Sequence, residues 1–326
     1  MSNNASQFRS VLVPLDRSPL AEQALAVATR ITQQGGGMLA LALVHEPPPI
    51  PLDSPDPALF ASAEAAVRRA EATYLERIEA QLRAAGTRVS SVITLTGEIG
   101  PCLADHARSI GVDLVVMATH GRGGVQRLWL GSVADYLVRH LDVPVLLVRA
   151  GEVADRASSG PSAAQVLVPL DGTPLAEEAL APAAELARLW DLDLSLLRVV
   201  RPITFVAEPV LPLPMAYDRE LTDAAVDQAR DYVKDLVEEL RARGFRANGS
   251  AVIGWNPVDT ILEIARPEQV AVVALATHGR AGVARLALGS VADKLIRAAR
   301  VPVLVSRPAL GARETVERAH SAAGTR

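Results

Sequence analysis

One stretch of chain occurs twice in this sequence, and the repeat constrains the fold more than any other feature does. Residues 11–25 return as residues 166–180 with 12 of 15 positions identical, and residues 119–138 return as residues 277–296 with 15 of 20 identical. The copies are offset by 155 and 158 residues, whereas solenoid repeats have periods of about 20–50 residues. The 326 residues therefore predict one domain used twice, in agreement with about 150 residues for a typical domain.

The junction between the two copies is rich in small and polar residues and contains glycine and proline, as linkers do. We predict a first domain over residues 1–150, a linker over residues 151–164 and a second domain over residues 165–308. Residues 309–326 are predicted to form a loose C-terminal tail.

Each half alternates apolar runs with segments of helical periodicity. The apolar runs of the first half lack polar alternation, which is typical of strands buried on both faces, and they span residues 11–15, 38–44, 89–95, 114–118 and 145–148. Residues 57–85 and 217–243 have the apolar spacing of long helices, and a glycine follows each. Five strands alternating with four helices predict, in each domain, an α/β fold with a parallel, doubly wound sheet and helices on both faces. Such sheets bind ligands at the carboxyl ends of their strands, where the strand order reverses.

Composition argues against several classes of partner. The net charge is −4 and aromatic residues make up 3% of the chain, so the basic excess and the stacking platforms of a nucleic-acid-binding protein are both missing. No apolar run reaches the roughly 18 residues of a membrane span, and residues 1–10 lack the apolar core of a signal peptide. Cys102 is the only cysteine, which excludes an intrachain disulfide and fits a reducing compartment. We therefore expect a cytoplasmic protein that binds neither nucleic acid nor membranes.

A carboxylate follows the first predicted strand of each copy. Asp16 ends the sequence Val-Leu-Val-Pro-Leu-Asp, and Asp171 ends its repeat. At the carboxyl edge of the sheet, such a side chain can accept hydrogen bonds from a ribose hydroxyl or a base amine. The alternative is an aspartate that caps a helix or holds a turn, which is common after strands. The repeat does not decide between the two, because requirements of the fold repeat as well.

A glycine-rich loop follows the fourth predicted strand of each copy. In the first copy, nine residues separate Gly121 from Gly131, and Ser132 follows at a predicted helix start. Glycines let backbone N–H groups approach an oxyanion, the helix start adds a partial positive charge, and Arg122 adds a cation. The same spacing recurs in the second copy at Gly279, Arg280, Gly289 and Ser290. The pattern predicts a phosphate site in each domain, and the alternative is a glycine turn followed by a serine-capped helix.

Signatures of turnover are missing from the sequence. Its two lysines, Lys234 and Lys294, do not follow a glycine, so a P-loop of the form G-x-x-x-x-G-K-[ST] is excluded. The dinucleotide fingerprint fails in the glycine-rich loop, because Gln126 stands where its third glycine belongs. His120 and His278 are interpreted as organisers of local hydrogen bonds, and the histidines show no metal-ligand spacing. We therefore predict no catalytic residues and no metal site formed by the protein.

Each half of the chain resembles the universal stress protein (UspA) domain. The resemblance is carried by the opening V-L-V-P-L-D, the central G-V-D-L-V-V-M-A-T-H-G-R, the nine-residue spacing before Gly131-Ser132, and the closing V-P-V-L-L-V-R. It covers about residues 11–149 and 165–307, which is nearly the whole chain. The chain is thus similar to a tandem universal stress protein of the ATP-binding type.

The resemblance implies a Rossmann-like or flavodoxin-like domain with a five-stranded parallel sheet of order 3-2-1-4-5. It also implies bound ATP, with a divalent ion such as Mg²⁺ held on the phosphates. The nucleotide-binding residues that it implies in the first domain are Pro14, Leu15, Asp16, His45 (or Glu46), Met117, Ala118, His120, Gly121, Arg122, Gly131, Ser132 and Val133. Those that it implies in the second domain are Pro169, Leu170, Asp171, Val199, Leu275, Ala276, His278, Gly279, Arg280, Gly289, Ser290 and Val291. The first three of each set would meet adenine and ribose, the residue ending strand two would approach the base through its backbone, and the others would line the ribose and phosphates.

One position departs from the family pattern. Ala118 and Ala276 stand where the family usually has the first glycine of its motif. If that position needed a positive φ, alanine would be strained by about 1 kcal/mol, whereas a requirement for small size alone would be met. The ends of the second strand also differ between the halves, so equal affinity at the two sites is not expected.

The resemblance and the two phosphate cradles predict an ATP-binding stress-response protein that acts as a sensor or regulator, with at most slow ATP hydrolysis. The alternative is a scaffold that acts through protein–protein interactions without nucleotide. An ATP-cleaving enzyme is disfavoured, because Asp16-Arg-Ser-Pro and Asp171-Gly-Thr-Pro replace the Ser/Gly-rich loop of such enzymes. Since single domains of the family pair through their last strands, the resemblance also implies an intramolecular pseudo-dimer of the two domains, and a homodimer of chains is left open.

Overall fold

A computed structural model describes residues 7–47, 57–119, 130–149, 165–205, 216–277 and 288–307. The chain divides into two units, Met1–Ser159 and Gly160–Arg326. The division falls within residues 151–164, the segment interpreted as a linker.

The described part of the first unit alternates strands and helices along the chain. Its strands are β1 (Ser10–Leu15), β2 (Met38–His45), β3 (Val89–Thr96), β4 (Leu114–Ala118) and β5 (Val145–Val148). Its helices are α1 (Pro19–Gly35), α2 (Pro57–Ala84), α3 (Ile99–Ser109) and α4 (Ser132–His140).

The described part of the second unit repeats this alternation with additions. Its strands are β6 (Gln165–Leu170), β7 (Asp193–Val200), β8 (Thr204–Phe205), β9 (Ala216–Tyr217), β10 (Ala247–Ile253), β11 (Val270–Ala276) and β12 (Val303–Ser306). Its helices are α5 (Pro174–Glu177), α6 (Leu180–Trp190), α7 (Arg219–Ala242), α8 (Pro257–Ile264) and α9 (Ser290–Ala298).

Both units are α/β folds with a parallel sheet, as predicted. The strand order is β3-β2-β1-β4-β5 in the first unit and β10-β7-β6-β11-β12 in the second, so the order 3-2-1-4-5 is confirmed within each unit. The strand that opens each unit is central: β1 pairs in parallel with β2 and β4, and β6 with β7 and β11. The structure adds one feature that was not predicted, the short antiparallel pair of β8 and β9.

The first crossover helix of each unit begins at a hydroxyl cap. Ser18 Oγ accepts a hydrogen bond from Ala21 N at 3.1 Å, and Thr173 Oγ1 accepts one from Ala176 N at 3.3 Å. A proline follows each cap at the start of the helix, where its missing N–H would have had no partner within the helix. These caps start a helix directly after each strand-end aspartate.

This helix is continuous in the first unit and interrupted in the second. Helix α1 has 17 residues, whereas α5 ends after 4 residues and α6 begins at Leu180. Pro182 stands where the first copy has Val27. Because proline has no N–H to donate to the carbonyl four residues earlier, the regular hydrogen bonding is lost one turn before it.

Strand side chains form the centre of each unit. Leu12 of β1, Leu41 of β2 and Val115 of β4 are fully buried, as are Val168 of β6 and Leu196 of β7. This burial on both faces is the one predicted from the uninterrupted apolar runs. Within the described ranges, none of the helices combines the length and the apolar character needed to cross a membrane.

The two units differ in the side chains that are buried at the end of their second strand, β2 in the first unit and β7 in the second. In the first unit, Nδ1 of buried His45 lies 2.8 Å from Glu71 Oε2, and its Nε2 lies 2.8 Å from Glu64 Oε1. The side chains of His45 and Glu71 are 1% and 2% exposed. In the second unit, the strand registers place Val200 at the position of His45, and the 158-residue offset of the repeat places Ala229 at the position of Glu71. Val200 and Ala229 lie in one apolar cluster.

We predict that Glu71→Ala lowers the free energy of unfolding by about 3 kcal/mol, because one buried nitrogen of His45 then faces no carboxylate. Adding His45→Val recreates the pair found in the second unit and is expected to recover most of this loss. Urea unfolding of the whole chain measures both free energies. Ala229→Glu is the matched control: it buries a carboxylate without a histidine and is expected to cost at least as much. Equal losses for the single and the double variant would contradict the prediction.

Candidate functional site

A cavity of about 320 Å³ opens at the carboxyl edge of the second unit's sheet. Its walls come from the ends of β6, β7 and β11 and from helices α5, α8 and α9. Nine residues of the predicted second site line it: Pro169, Leu170, Asp171, Val199, Leu275, Ala276, Gly289, Ser290 and Val291. The structure thus brings together segments that are far apart in the sequence and that were assigned to one site.

Most of the lining is apolar, with a few polar groups at defined places, which suits a small organic ligand. The lining residues that were not predicted are Ala176, Leu197, Arg198, Pro257, Ile261, Thr277, Ala292 and Leu295. Arg198 is the most informative of them, because it introduces a charge into the otherwise apolar end of β7. That interruption of an apolar strand was a signal in the sequence.

The strand-end aspartates hold the turns that follow them. Asp171 Oδ1 accepts hydrogen bonds from Thr173 N at 3.0 Å and from Thr173 Oγ1 at 2.6 Å. Asp16 Oδ1 accepts one from Ser18 N at 2.9 Å. The turn-forming alternative for these aspartates is therefore present in the structure. Asp171 also lines the cavity, so contact with a ligand stays a prediction beside the structural role.

The helices that open at the glycine-serine pairs are not capped by serine. The N-cap residues are Gly131 for α4 and Gly289 for α9, and neither provides a side-chain cap. Ser132 and Ser290 are the first helical residues, so the interpretation of a serine-capped helix is wrong. A glycine N-cap leaves the backbone of the first turn approachable by an anion.

The glycine N-caps are tied to the end of the fourth strand of their unit. Gly131 N donates to Thr119 O at 3.0 Å, and Gly289 N donates to Thr277 O at 2.7 Å. A Cβ atom built on Gly131 would lie 3.1 Å from Thr119 O, which is a tight contact. Close approach of the two backbone segments therefore favours glycine at this position.

The alanines that depart from the family pattern are compatible with the backbone. Ala118 and Ala276 are the last residues of β4 and β11. Among the described residues other than glycine, positive φ angles occur at Arg17 and Asp191. Because Ala118 and Ala276 have negative φ, the strain considered for alanine does not arise at either position.

The predicted residues of the first unit occupy the equivalent edge of its sheet. Pro14 and Leu15 end β1 and Asp16 follows it, Met117 and Ala118 end β4, and Ser132 and Val133 open α4 after Gly131. Since β1 and β4 are parallel neighbours, these ends lie side by side. Six predicted residues lie outside the described residues: His120, Gly121, Arg122, His278, Gly279 and Arg280.

The strand registers refine the comparison between His45 and Val199. Leu15 pairs with Leu43, whereas Leu170 pairs with Arg198, so Val199 corresponds to Val44 and not to His45. The imidazole of His45 faces the carboxylates of α2 instead of the site. The predicted approach of its backbone to a base stays a prediction.

A tyrosine near a glutamate, here called the tyrosine–glutamate pair, recurs close to both strand-end aspartates and was not predicted from the sequence. Tyr232 Oη donates to Glu177 Oε1 at 2.8 Å, and burial together with this bond raises the pKa of Tyr232 well above its usual value. Burial, followed by the nearby Glu22 carboxylate, raises the pKa of Tyr74 in the same direction. Arg77 Nη2 lies 2.9 Å from Glu22 Oε1. Both phenols therefore stay protonated at neutral pH.

The described residues contain no group of three or more histidine, cysteine, aspartate or glutamate side chains placed to hold a metal ion.

Both units are α/β domains with a doubly wound parallel sheet, and the second has an apolar cavity at the carboxyl edge of its sheet, the place where such sheets bind ligands. The chain belongs to the universal stress protein family, whose model matches residues 7–149 and 164–307. The two matches establish the tandem arrangement that the repeat predicted.

Curated relatives are similar to the chain over most of its length. One universal stress protein of Mycobacterium tuberculosis is 28% identical over 322 residues, which are 95% of this chain and 100% of the relative. A second from the same organism is 27% identical over 316 residues, covering 91% of this chain and 94% of the relative. A third is 31% identical over 209 residues, and this match spans 60% of the chain and 62% of the relative's own length.

Solved structures support the fold. The crystal structure of a universal stress protein from Archaeoglobus fulgidus has a TM-score of 0.65 at 19% identity, covering 92% of this chain and 99% of that one. A functionally unknown protein from Pseudomonas aeruginosa has a TM-score of 0.66 at 17% identity, covering 94% and 95% of the two chains.

We predict that Asp171→Ala lowers the free energy of unfolding by about 1–2 kcal/mol, because the turn before α5 loses the two hydrogen bonds that Thr173 donates to this carboxylate. Asp171→Asn keeps the Oδ1 acceptor and is expected to stay within about 0.5 kcal/mol of the unmodified chain. Asp16→Ala removes the turn bond that Ser18 N donates and is also expected to lower the free energy of unfolding. Urea unfolding gives the three values. An asparagine variant as unstable as the alanine variant would contradict the turn role.

Proposed function

We propose that each unit binds an adenine nucleotide at the carboxyl edge of its sheet and that ATP is the ligand. The protein would act as a nucleotide-dependent sensor or regulator of the stress response, with at most slow ATP hydrolysis. Mg²⁺ would accompany the nucleotide, held by phosphate oxygens, which are the hard ligands that it prefers.

The observation that carries this proposal is the cavity of the second unit. Residues selected for nucleotide contact from three distant segments line one space of about 320 Å³. A nucleotide needs an apolar surface for its base, an acceptor for its ribose and donors for its phosphates. Around that space, Leu197 and Val199 offer the apolar surface and Asp171 offers the acceptor. The start of α9 offers the donors.

The residues divide by chemistry along the cavity. Asp171 would accept hydrogen bonds from ribose hydroxyls with its carboxylate, which also accepts the hydrogen bond that Thr173 N donates in the turn. Gly289 and Ser290 would bind phosphate at the start of α9, where backbone N–H groups and the helix dipole favour an anion. The backbone at Val199 would meet the base. In the first unit, Asp16, Gly131 and Ser132 would take the corresponding roles.

A regulatory role is favoured over rapid turnover by the residue types available. The sequence lacks the lysine that a P-loop places on the β- and γ-phosphates. The half-buried phenols of Tyr74 and Tyr232 have raised pKa values and stay protonated near neutral pH, so neither is a base there. The alternative hypothesis, a scaffold that binds no nucleotide, rested on Ala118 and Ala276. Because the backbone is unstrained at both alanines, they no longer favour that hypothesis.

We predict that the purified chain releases ATP on denaturation or binds added ATP with Mg²⁺, at two sites. Gly289→Val and Gly131→Val are each expected to lose one site, because a branched side chain fills the start of the phosphate-binding helix. Isothermal titration calorimetry counts the sites, and each single variant is the control for the other. Circular dichroism checks the fold, since Gly131 lies close to Thr119 O. Two sites in both single variants, or no nucleotide binding by the unmodified chain, would contradict the proposal.

We predict that Asp171→Asn weakens ATP binding at the second site about tenfold, the loss expected for one charge-assisted hydrogen bond. The variant retains the turn acceptor, so stability should change little while affinity falls. Calorimetry in the Gly131→Val background isolates the second site. Unchanged affinity would assign Asp171 to the turn alone.

A further inference from the structure

We infer that the second unit is built for a nucleotide that carries an additional phosphate on its ribose, and that Arg198 recognises this group. The inference rests on the proposed nucleotide function and specifies the ligand class of the second site. Its structural basis is a guanidinium in the cavity wall beside the strand-end aspartate.

The position of Arg198 follows from the register of β6 and β7. Arg198 pairs with Leu170 in the sheet, and its Nη1 donates to Leu170 O at 3.3 Å. Its guanidinium passes over the next turn, since a Cβ atom built on Gly172 would lie 3.5 Å from Nη2 and 3.7 Å from Nε. The planar cation therefore lies along residues 170–172, the segment that contains Asp171. Both Arg198 and Asp171 line the cavity.

The first unit shows that this cation is not required by the fold. The register places Leu43 at the position of Arg198. The tyrosine–glutamate pair of the first unit has a cation too, but it comes from the outer surface of α2: Arg77 binds Glu22 at 2.9 Å, and its guanidinium lies 5.2 Å from the centre of the Tyr74 ring. Arg198 is the cation that lowers the pKa of Tyr232, opposing burial and Glu177.

The unit with Arg198 lacks the surface cation. The position of Arg77, three residues after the tyrosine, is occupied in the second unit by Asp235, which is exposed on α7. The positive charge near the tyrosine–glutamate pair has thus moved from the outer helix to the strand that forms the cavity wall. A cation that balances the charge of Glu177 could stand on the helix, as Arg77 does for Glu22, whereas Arg198 lines the cavity, where a ligand can reach it.

The chemistry of a ribose site identifies that ligand. A carboxylate after the first strand accepts ribose hydroxyls, but it repels a phosphate at the same place. A neighbouring arginine reverses this preference, because its fork of N–H donors pairs with phosphate oxygens and offsets the carboxylate charge. Asp171 and Arg198 provide both elements in one wall. In the first unit, the strand position of Arg198 holds Leu43, and the arginine next to the strand-end aspartate is Arg17, which stands in the turn at the position of Gly172.

The cavity lining then contains two groups that favour anions, together with apolar residues. One is the start of α9 at Gly289 and Ser290, and the other is Arg198 near the end of β6. A nucleoside with phosphates at its 5′ position and on its 2′ or 3′ oxygen presents two anionic groups joined by an apolar base and sugar. We therefore assign this class of nucleotide to the second unit.

The test compares three nucleotides at the second site by calorimetry, in the Gly131→Val background that silences the first: adenosine 5′-monophosphate, adenosine 2′,5′-bisphosphate and adenosine 3′,5′-bisphosphate. At least one bisphosphate is expected to bind about tenfold tighter than the monophosphate, and Arg198→Leu is expected to abolish this preference. Arg198→Leu with Asp235→Arg is the matched variant, because it restores a cation beside the tyrosine–glutamate pair from the helix, as in the first unit. This variant is still expected to lack the preference for a bisphosphate.

The outcomes separate the two proposals. Binding of the monophosphate with no preference for either bisphosphate, or a preference that survives Arg198→Leu, would overturn this inference and leave the nucleotide function standing. Equal weakening of all three nucleotides in the matched variant would assign Arg198 a general positioning role and also overturn it. No binding of any nucleotide, ATP included, would overturn the proposed function and this inference with it.

Discussion

The parallel pairing of the first strand of each unit with neighbours on both sides is the constraint on which the rest of the structure depends. β1 and β6 are buried on both faces and hydrogen-bonded along both edges, so their partners must return from later in the chain through crossover helices. Parallel partners end at the same edge, and there the second and fourth strands flank the first. The cavity of the second unit lies where this order reverses, and its position follows from backbone pairing before any side chain is considered.

The two copies show how much side-chain chemistry one backbone tolerates. At the end of the second strand, the first unit buries His45 between carboxylates, whereas the second buries Val200 against Ala229. Buried charges are tolerated only with partners in good geometry, and apolar side chains of fitting volume satisfy the same space. The helix after the first strand is likewise interrupted one turn before Pro182, and both of its pieces still pack on strands of the sheet.

Differences in charge between the units change what the sheet edge can bind, whereas differences in packing do not. Exchanging a buried ion pair for apolar contacts leaves the outer surface of the sheet edge unchanged. Moving a cation from the outer helix, where Arg77 lies, to the cavity wall, where Arg198 lies, changes what the edge can bind. Under the proposed function, the two sites would share phosphate and ribose contacts and still select different nucleotides, which would suit a regulator that responds to more than one ligand.

By itself, the sequence determined the repeat, the α/β class, the strand order implied by the family pattern, and the segments that meet in the cavity, because buried parallel strands and glycine-serine helix starts have strong local signals. The tertiary structure decided what local signals cannot show. Strand register showed that Val44, and not His45, matches Val199. Packing turned His45 towards α2, and the turn geometry gave Asp171 a structural role. The place of Arg198 in the site emerged only from the pairing of β6 with β7, since a side chain's neighbours across a sheet depend on contacts between residues distant in the chain.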